Sequence, residues 1–553
     1  MADNDKLLVI PLGGLGEIGK NMMAVRYKDS IVVIDAGLMF PEEELLGIDI
    51  VIPDITYLQE NRDKVKAILL THGHEDHVGS LPYVLKDIDV PVYGSRLTLG
   101  LVESKLKDQG VTSARLIPVK PRDMINIGCF EVEFIRVSHS IPDALGIAIH
   151  TPIGILLHTG DIKIDQTPVD GELVDFRKFA ELGEKGVLVM MSDSTNADKP
   201  GYTGSERLVG DTFEELFRRC EGRIIVTTFA SNVHRIQQVI TTAHRYGRKV
   251  AVVGRSLVNN VTIARELGYI DIPPGCLIEM EEISRHPANQ MLIITTGSQG
   301  EPMSALTRMA MSDHRWIDIQ PGDTVIISAT PIPGNEKLVA RTVDLLFRQG
   351  AEVVYERSTG VHVSGHASQE ELKILINLVR PRYFIPVHGE YRHLMRHAKI
   401  AESLGIPKSR VFVVENGQVI EIGRKKAVVS GKVTAGRVLV DGLGVGDVGN
   451  IVLRDRKQLS QDGIIIVVVT IQKDSGTVIA GPDIVSRGFV YVRESEELIE
   501  EAREKVKEAL SACEQRNITE WATIKSQVRE VLSKFLYDQT RRRPMIMPII
   551  MEI

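Results

Sequence analysis

The stretch Thr71-His72-Gly73-His74-Glu75-Asp76-His77 places three imidazoles and two carboxylates within six residues, in a chain where only 15 of 553 residues are histidine. It follows the apolar run Ala67-Ile-Leu-Leu70, which reads as a buried strand with a functional loop at its C-terminal end. Residues i and i+2 leaving a strand project to the same side, so His72 and His74 can share one metal ion. Asp76 and His77, at the start of the following turn, point to a neighbouring ion. Zinc favours such nitrogen and carboxylate donors, and mixed sites with an open position are catalytic rather than structural. The alternative is a solvated polar loop, against which the density of histidine argues.

Working outward, a second ion calls for a bridging carboxylate and further imidazoles, and other strand ends supply them. His139 closes Val137-Ser-His139, Asp161 closes His158-Thr-Gly-Asp161, and His388 lies in Pro386-Val-His-Gly-Glu390. Each follows an apolar run and precedes a turn. Any one of them alone would be read as a satisfied structural residue; beside the first cluster they read as ligands. Asp35, also at a strand end, is placed to accept from a ligand histidine behind the metals.

Similar short apolar runs recur along the chain: Ile31–Ile34, Gly154–Leu157, Val187–Met191, Ile224–Val226, Val250–Val253, Leu292–Ile294, Thr324–Ile327 and Phe384–Val387. Helical stretches such as Glu206–Arg219 lie between several of them, so the class is α/β. The His/Asp-rich punctuation stops near residue 205 and resumes over 361–390, as though one domain were interrupted by another. From about residue 425 the texture changes, and Asp441-Gly-Leu-Gly-Val-Gly446 reads as a linker. The last unit has a β run over Ile464–Ile471, a helix capped by Ser495 with Leu498, Ala502, Val506 and Ala509 on one face, a second helix from Thr519 and a strand near Met545–Met551.

The length is enough for about three domains. With 66 Lys+Arg against 73 Asp+Glu the net charge is −7, which excludes a protein that coats nucleic acid non-specifically but not a local basic channel. Four widely spaced cysteines without a C-x-x-C pair, no apolar leader behind a basic stretch and no run of about 18 apolar residues read as a cytoplasmic chain that does not enter a membrane. One decoy is Gly14-Leu-Gly16-Glu-Ile-Gly19, which satisfies the dinucleotide fingerprint. Only eleven residues separate Gly19 from Ile31, too few for a crossover helix, so a glycine-rich hairpin is expected instead.

In order along the chain, Asp35, His72-x-His74-x-Asp76-His77, His139 and Asp161 resemble the metallo-β-lactamase superfamily. Asp193 in Ser192-Asp-Ser-Thr195, His366 in His362-Val-Ser-Gly-His366 and His388 in Val387-His-Gly389 resemble the three further motifs of its β-CASP nucleic-acid hydrolases. Thr228-Phe-Ala-Ser-Asn232, Gly334-Asn-Glu336 and Ser486-Arg-Gly-Phe-Val-Tyr-Val-Arg-Glu-Ser495 extend the resemblance, over nearly the whole chain, to the bacterial ribonuclease J family. The resemblance implies an αββα metallo-β-lactamase domain over 1–205 and 365–425 with an inserted β-CASP α/β domain over 206–364. A linker over 426–450 would lead to a small C-terminal α/β domain over 451–553.

It also implies two Zn²⁺ per subunit, one on His72, His74 and His139, the other on Asp76, His77 and His388, with Asp161 bridging. Asp161, Asp193 and His366 would be catalytic, His366 meeting the scissile phosphate and helping to protonate the leaving 3′ oxygen. Ser231, Asn232 and Val233 would bind the terminal nucleotide with His362, Val363, Ser364, Gly365 and His366, although turn chemistry or helix capping explains Ser231 and Asn232 equally well. Gly47, Asp49 and Asp441 would offer oxygens to a structural Ca²⁺, as in some relatives. The implied activity is 5′-to-3′ exonuclease and endonuclease cleavage of single-stranded RNA, preferably 5′-monophosphorylated, in rRNA processing and mRNA decay. The implied partners are a second copy in a homodimer or homotetramer, a paralogue in a hetero-oligomer, and RNA-degradosome proteins. A small-molecule metallohydrolase and a non-catalytic scaffold paralogue are the competing readings. The long insertion and His366 argue against the first, and the complete ligand set against the second.

Overall fold

The computed structural model describes residues 5–299, 304–332, 334–472, 477–490, 495–516, 518 and 520–553. They form two compact units, Met1–Phe40 with Ile50–Val438, and Pro41–Asp49 with Leu439–Ile553.

In the first unit, strand Ser30–Ile34 shows how the sequence makes a layered fold. All five residues are buried, but alternate side chains go to different cores: Val32 and Ile34 to one, Ile31 and Val33 to another. This is the period-two geometry of a strand covered on both faces, and each fully buried Val or Ile contributes about 1.5–3 kcal/mol. The strand belongs to an eight-stranded sheet whose order is 427–432, 418–422, 7–13, 22–27, 30–34, 65–69, 92–94 and 116–118. A six-stranded sheet, ordered 383–387, 187–193, 154–158, 145–151, 130–136 and 124–127, packs against it through Phe134, Ile147, Leu156, Met191 and Ile385. Helices Leu81–Asp87 and Arg96–Asp108 cover the outer face of the first sheet. Phe176–Lys185, Gln369–Val379 and Tyr391–Ser403 cover that of the second. The architecture is the expected αββα sandwich.

Strands Leu7–Gly13 and Met22–Tyr27 pair antiparallel, so the glycine-rich segment between them is a hairpin and not a dinucleotide loop. Its Leu15–Gly16 pairs in parallel with Gly389–Glu390, bracing the loop that carries His388.

The insertion is a five-stranded parallel sheet ordered 249–253, 291–295, 224–227, 324–327 and 352–354. Helices Arg207–Arg219, Val233–Arg245 and Arg255–Glu266 pack on one face and Ala305–Ala310 with Glu336–Arg348 on the other. The chain then returns to the sandwich through a capping box at Ser368 and Glu371. The fully buried Glu371 carboxylate accepts from Ser368 N at 2.8 Å, Thr203 N at 2.7 Å and Ile164 N at 2.8 Å. This fixes the chain two residues beyond His366.

In the C-terminal unit, a sheet ordered 478–487, 464–471 and 545–552 packs on helices Glu496–Gln515 and Trp521–Thr540. Ile465, Val467 and Val469 enter its core, while Ile464, Ile466 and Val468 are half-buried on the opposite face. Ser495 stands at the helix start, but its side chain makes no capping hydrogen bond; Glu496 and Glu497 in the first turn face the helix dipole instead. Residues 491–494 and Thr519 lie outside the described residues. The stretch read as a linker carries strands Ala427–Lys432, Arg437–Asp441 and Gly444–Val445. Ala427–Lys432 pairs with Gln418–Ile422 and Arg437–Asp441 with Gly444–Val445, so sheet pairing extends into it.

Candidate metal centre

The candidate ligands collect where strands end. His72 and His74 follow strand Val65–Leu69, and the short helix Glu75–Val78 then presents Asp76 and His77. His139 follows Phe130–Arg136, Asp161 follows Gly154–His158, Asp193 closes Val187–Asp193, and His388 follows Tyr383–Val387. The last three of these strands run parallel, so their carboxyl ends deliver Asp161, Asp193 and His388 to one edge. Asp35 and His388 hold φ of +61° and +55°, a left-handed conformation uncommon for non-glycine residues and retained where surrounding contacts over-determine it.

Two donor sets share Asp161: His72, His74, His139 and Asp161, and Asp76, His77, Asp161 and His388. In the first, His74 Nδ1 lies 3.0 Å from His72 Nε2 and 3.2 Å from His139 Nε2. Asp161 Oδ2 stands 3.6 Å and 3.7 Å from those same Nε2 atoms. In the second, Asp161 Oδ2 to His77 Nε2 is 3.3 Å, Asp76 Oδ2 to His77 Nε2 is 3.6 Å, and Asp76 Oδ2 to His388 Nε2 is 3.2 Å. Ligand atoms about 2.0–2.1 Å from a tetrahedral ion stand about 3.3–3.4 Å apart, so both sets have the spacing of a tetrahedron's edges. Together with the family matches given below, these clusters make the centre a divalent-metal site.

Behind the donors each ring is held by its other nitrogen. Asp35 Oδ2 takes the hydrogen bond of His77 Nδ1 at 2.8 Å. It also accepts from Thr71 Oγ1 at 2.8 Å, and that hydroxyl sits 3.0 Å from His72 Nδ1. His139 Nδ1 donates to the Gly365 carbonyl at 2.7 Å, and Thr195 Oγ1 lies 2.5 Å from His388 Nδ1. Asn21 Nδ2 donates to the Asp76 carbonyl at 3.0 Å. Such partners fix ring orientation and tautomer. Sequence reasoning found Asp35 and missed Thr71, Thr195 and Asn21; adjacency to the motifs was the available signal for the two threonines, and none marked Asn21. A third cluster joins Asp161, Asp193, His366 and His388, in which His366 Nδ1 is 2.8 Å from Asp193 Oδ2.

The electrostatics divide the imidazoles. Burial holds His72 and His139 well below the ordinary histidine range and pushes His74 down to about 4, so these three rings are neutral with lone pairs converging. Burial opposes protonation of His77 and His388 as well, but Asp161 leads the charges that overcome it, raising His77 and taking His388 up to about 10. Burial would raise Asp161, yet the imidazoles of His388, His77 and His72 hold its carboxyl well below the usual range. A small pocket, lined in part by Asp35, His77, His158, Asp161 and His388, adjoins the donors.

Loops from both halves of the unit meet beside His366. Ser364 Oγ accepts from Asn196 Nδ2 at 2.8 Å and from His366 N at 3.3 Å. Thr203 Oγ1 donates to the His366 carbonyl at 2.7 Å. The Asn232 side chain accepts from Arg235 N at 3.2 Å as the cap of helix Val233–Arg245. Arg235, fully buried and overlooked in the sequence, pairs with Glu206 at 2.5 Å. Its Nη1 donates to Ser328 Oγ at 2.7 Å and the Val361 carbonyl at 3.4 Å and lies 3.4 Å from His362 Nδ1. It thereby ties segment 231–235 to segment 361–366.

The positions expected to hold calcium are arranged differently. The Arg456 guanidinium pairs with Asp441 and donates to the Leu46 carbonyl beside Gly47 at 2.9 Å. Asp49 Oδ2 accepts from Gly442 N at 2.7 Å. The Arg456 guanidinium thus lies among the oxygens expected to serve a calcium ion, a partner the spacing of two aspartates could not reveal.

Residues 15–216 match the metallo-beta-lactamase superfamily, and 221–346 match the ribonuclease J beta-CASP domain. Residues 350–413 match the Zn-dependent metallo-hydrolase RNA specificity domain, and 451–553 the ribonuclease J C-terminal domain. The chain is 48% identical over 552 residues to Ribonuclease J2 of Bacillus subtilis (strain 168), covering 100% of this chain and 99% of the relative. It is 46% identical over 551 residues to Ribonuclease J 2 of Staphylococcus aureus (strain NCTC 8325 / PS 47), with the same coverage. A crystal structure of a protein of unknown function from Enterococcus faecalis V583 shares the fold, with a TM-score of 0.55 and 20% identity over 75% of this chain and 100% of that one.

Proposed function

The chain belongs to the ribonuclease J family and is a metal-dependent ribonuclease, and from that premise we propose that it is a zinc enzyme acting on single-stranded RNA. It removes nucleotides from a 5′-monophosphorylated end and also cuts internally, in rRNA processing and mRNA decay. The observation that carries this reading is the pair of donor sets sharing Asp161. His72, His74 and His139 would hold one Zn²⁺ and Asp76, His77 and His388 the other, with Asp161 between them. When bound, the ions lower the pKa of a water and neutralise charge on the phosphoryl oxygens.

This chain's own residues do the rest. Asp193 engages His366 Nδ1, leaving Nε2 as the nitrogen that meets substrate. Water attacks phosphorus in line, the bond from phosphorus to the 3′ oxygen breaks, and a proton passes from His366 Nε2 to that oxygen. The released nucleotide keeps a 3′ hydroxyl and the shortened RNA begins with a 5′ phosphate, which is the end that segments 231–233 and 362–366 take in the next round.

In the C-terminal unit Arg456 stands where a structural calcium was expected. Val485, Met547, Ile549 and Met551 are exposed on the sheet face away from its helices, which supports a homodimer or homotetramer and pairing with a paralogue or degradosome proteins. All four cysteines are free, in keeping with a cytoplasmic enzyme; among the described residues no helix is long and apolar enough to cross a membrane.

The test is a time course on one RNA labelled in its first nucleotide, bearing a 5′ monophosphate, triphosphate or hydroxyl, with zinc and with chelator. Chelator-sensitive release of labelled mononucleotide, fastest from the monophosphate, is expected. Internal fragments alone would reduce the reading to an endonuclease, and cleavage indifferent to chelator would remove the metal assignment.

A further inference from the structure

Asn196 lies three residues beyond Asp193, is 3% exposed, and belongs to no metal donor set. Its amide can sit only one way round. Lys199 Nζ is 2.6 Å from one terminal atom, and an ammonium only donates, so that atom is Oδ1. The other atom lies 3.0 Å from the His366 carbonyl, which only accepts, so it is Nδ2. Nδ2 is therefore also the atom 2.8 Å from Ser364 Oγ.

This decides the polarity of Ser364. Its hydroxyl accepts from Asn196 Nδ2 and from His366 N at 3.3 Å, which engages both lone pairs. One hydrogen is left, and among the described residues no acceptor lies within hydrogen-bonding distance of it. The half-buried Ser364 is thus left as an obligate donor.

We propose that Asn196 is a specificity-determining residue: by occupying the lone pairs of Ser364, it makes that hydroxyl donate to a terminal phosphate and not accept from a terminal hydroxyl. The proposal rests on the reading above that Ser364 belongs to the 5′-end pocket. A hydroxyl free to rotate would serve a 5′-OH end and a 5′-phosphate end alike. One locked as donor favours the anion, since hydrogen bonds to charged groups are the stronger ones. Asn196 is a positioning residue, acting through Ser364.

The experiment compares initial exonucleolytic rates of the full-length metal-loaded enzyme on one RNA carrying a 5′ monophosphate or a 5′ hydroxyl. The enzymes are the parent, Asn196→Ala, the near-isosteric Asn196→Asp, Ser364→Ala and the double variant N196A/S364A, with thermal unfolding confirming that each is folded. The ratio of the two rates is the readout, because a general loosening of His366 lowers both rates together and leaves it unchanged. The parent is expected to prefer the monophosphate. Asn196→Ala and Asn196→Asp are expected to cut that preference about tenfold, and Asn196→Ala to add nothing in the Ser364→Ala background. A parent with no preference removes the 5′-phosphate reading and this proposal with it. A parent preference left intact in both Asn196 variants overturns the proposal alone, as does an Asn196→Ala effect that persists without the Ser364 hydroxyl.

Discussion

The metal centre and the cleft beside His366 lie within one compact unit but are made in different ways. Five of the seven candidate ligands stand just beyond strand ends of a single sandwich, and four of the seven, His72, His74, Asp76 and His77, come from one stretch of six residues. The cleft is assembled from three segments far apart in the chain, 192–196, 231–235 and 361–366, held by side-chain contacts such as Asn196 to Ser364 and Arg235 to Ser328. A strand end inherits its position from the hydrogen-bonded sheet behind it, whereas a loop is placed only by what it touches. The two meet at Gly365, whose carbonyl orients His139 while its neighbour Ser364 is engaged by Asn196.

That contrast can be broken at several points. The largest effect is expected from Asp161→Ala, which removes the one carboxylate common to both donor sets. Cleavage should fall by about a thousandfold or more, as when one member of a catalytic unit is lost, with the unfolding transition of the metal-free protein little changed. Retention of near-full activity in a metal-replete assay would dissolve the shared-ligand assignment.

Gly365→Ala tests the point where the two regions touch. An added Cβ would lie 2.6 Å from His139 Cε1, so the ring must move. Metal affinity and activity should drop by about 10–100-fold, measured by zinc content after dialysis and by cleavage rate; unchanged zinc content would mean that the loop, and not the ring, gives way.

Ser364→Leu sharpens the distinction from the other side. Exonucleolytic release should fall about tenfold more than internal cutting, since the metal donors are untouched, and equal loss of both would merge the cleft with the catalytic centre. The smallest effect is expected from Asn232→Ala. It removes a helix cap, costing about 1 kcal/mol of stability, and should also weaken the monophosphate preference slightly, since segment 231–233 belongs to the proposed 5′-end pocket. An unchanged preference would leave Asn232 as a helix cap alone.

Much of this was readable in the chain itself. Sheet strands buried on both faces appear as short apolar runs, and the residue just past each run is held near the sheet edge whatever the rest of the fold does, so Asp35, His139, Asp161 and His388 could be singled out once the His72–His77 cluster was in view. The glycine-rich hairpin was legible for a similar reason, since eleven residues cannot contain a crossover helix. Asn21 and Arg235 were not, because nothing local distinguishes a side chain that holds a ligand or ties two loops from one that faces water; Thr195 was marked only by standing beside Asp193. Nor could the two aspartates and the glycine reveal that the Arg456 guanidinium pairs with one of them, Asp441.

By itself, then, the sequence determined the α/β layering, the interrupted order of the domains and the chemical nature of the donors, because periodicity, turn chemistry and donor type are properties of neighbouring residues. Only the tertiary structure decided that the donors gather into two sets sharing Asp161, that burial disfavours protonation of His72, His74 and His139 while Asp161 favours it at His77 and His388, and which groups engage the Ser364 hydroxyl. Each of these depends on distances of a few ångströms between groups remote in the chain, where hydrogen bonding and Coulomb energy change steeply with separation and local sequence carries no record of it.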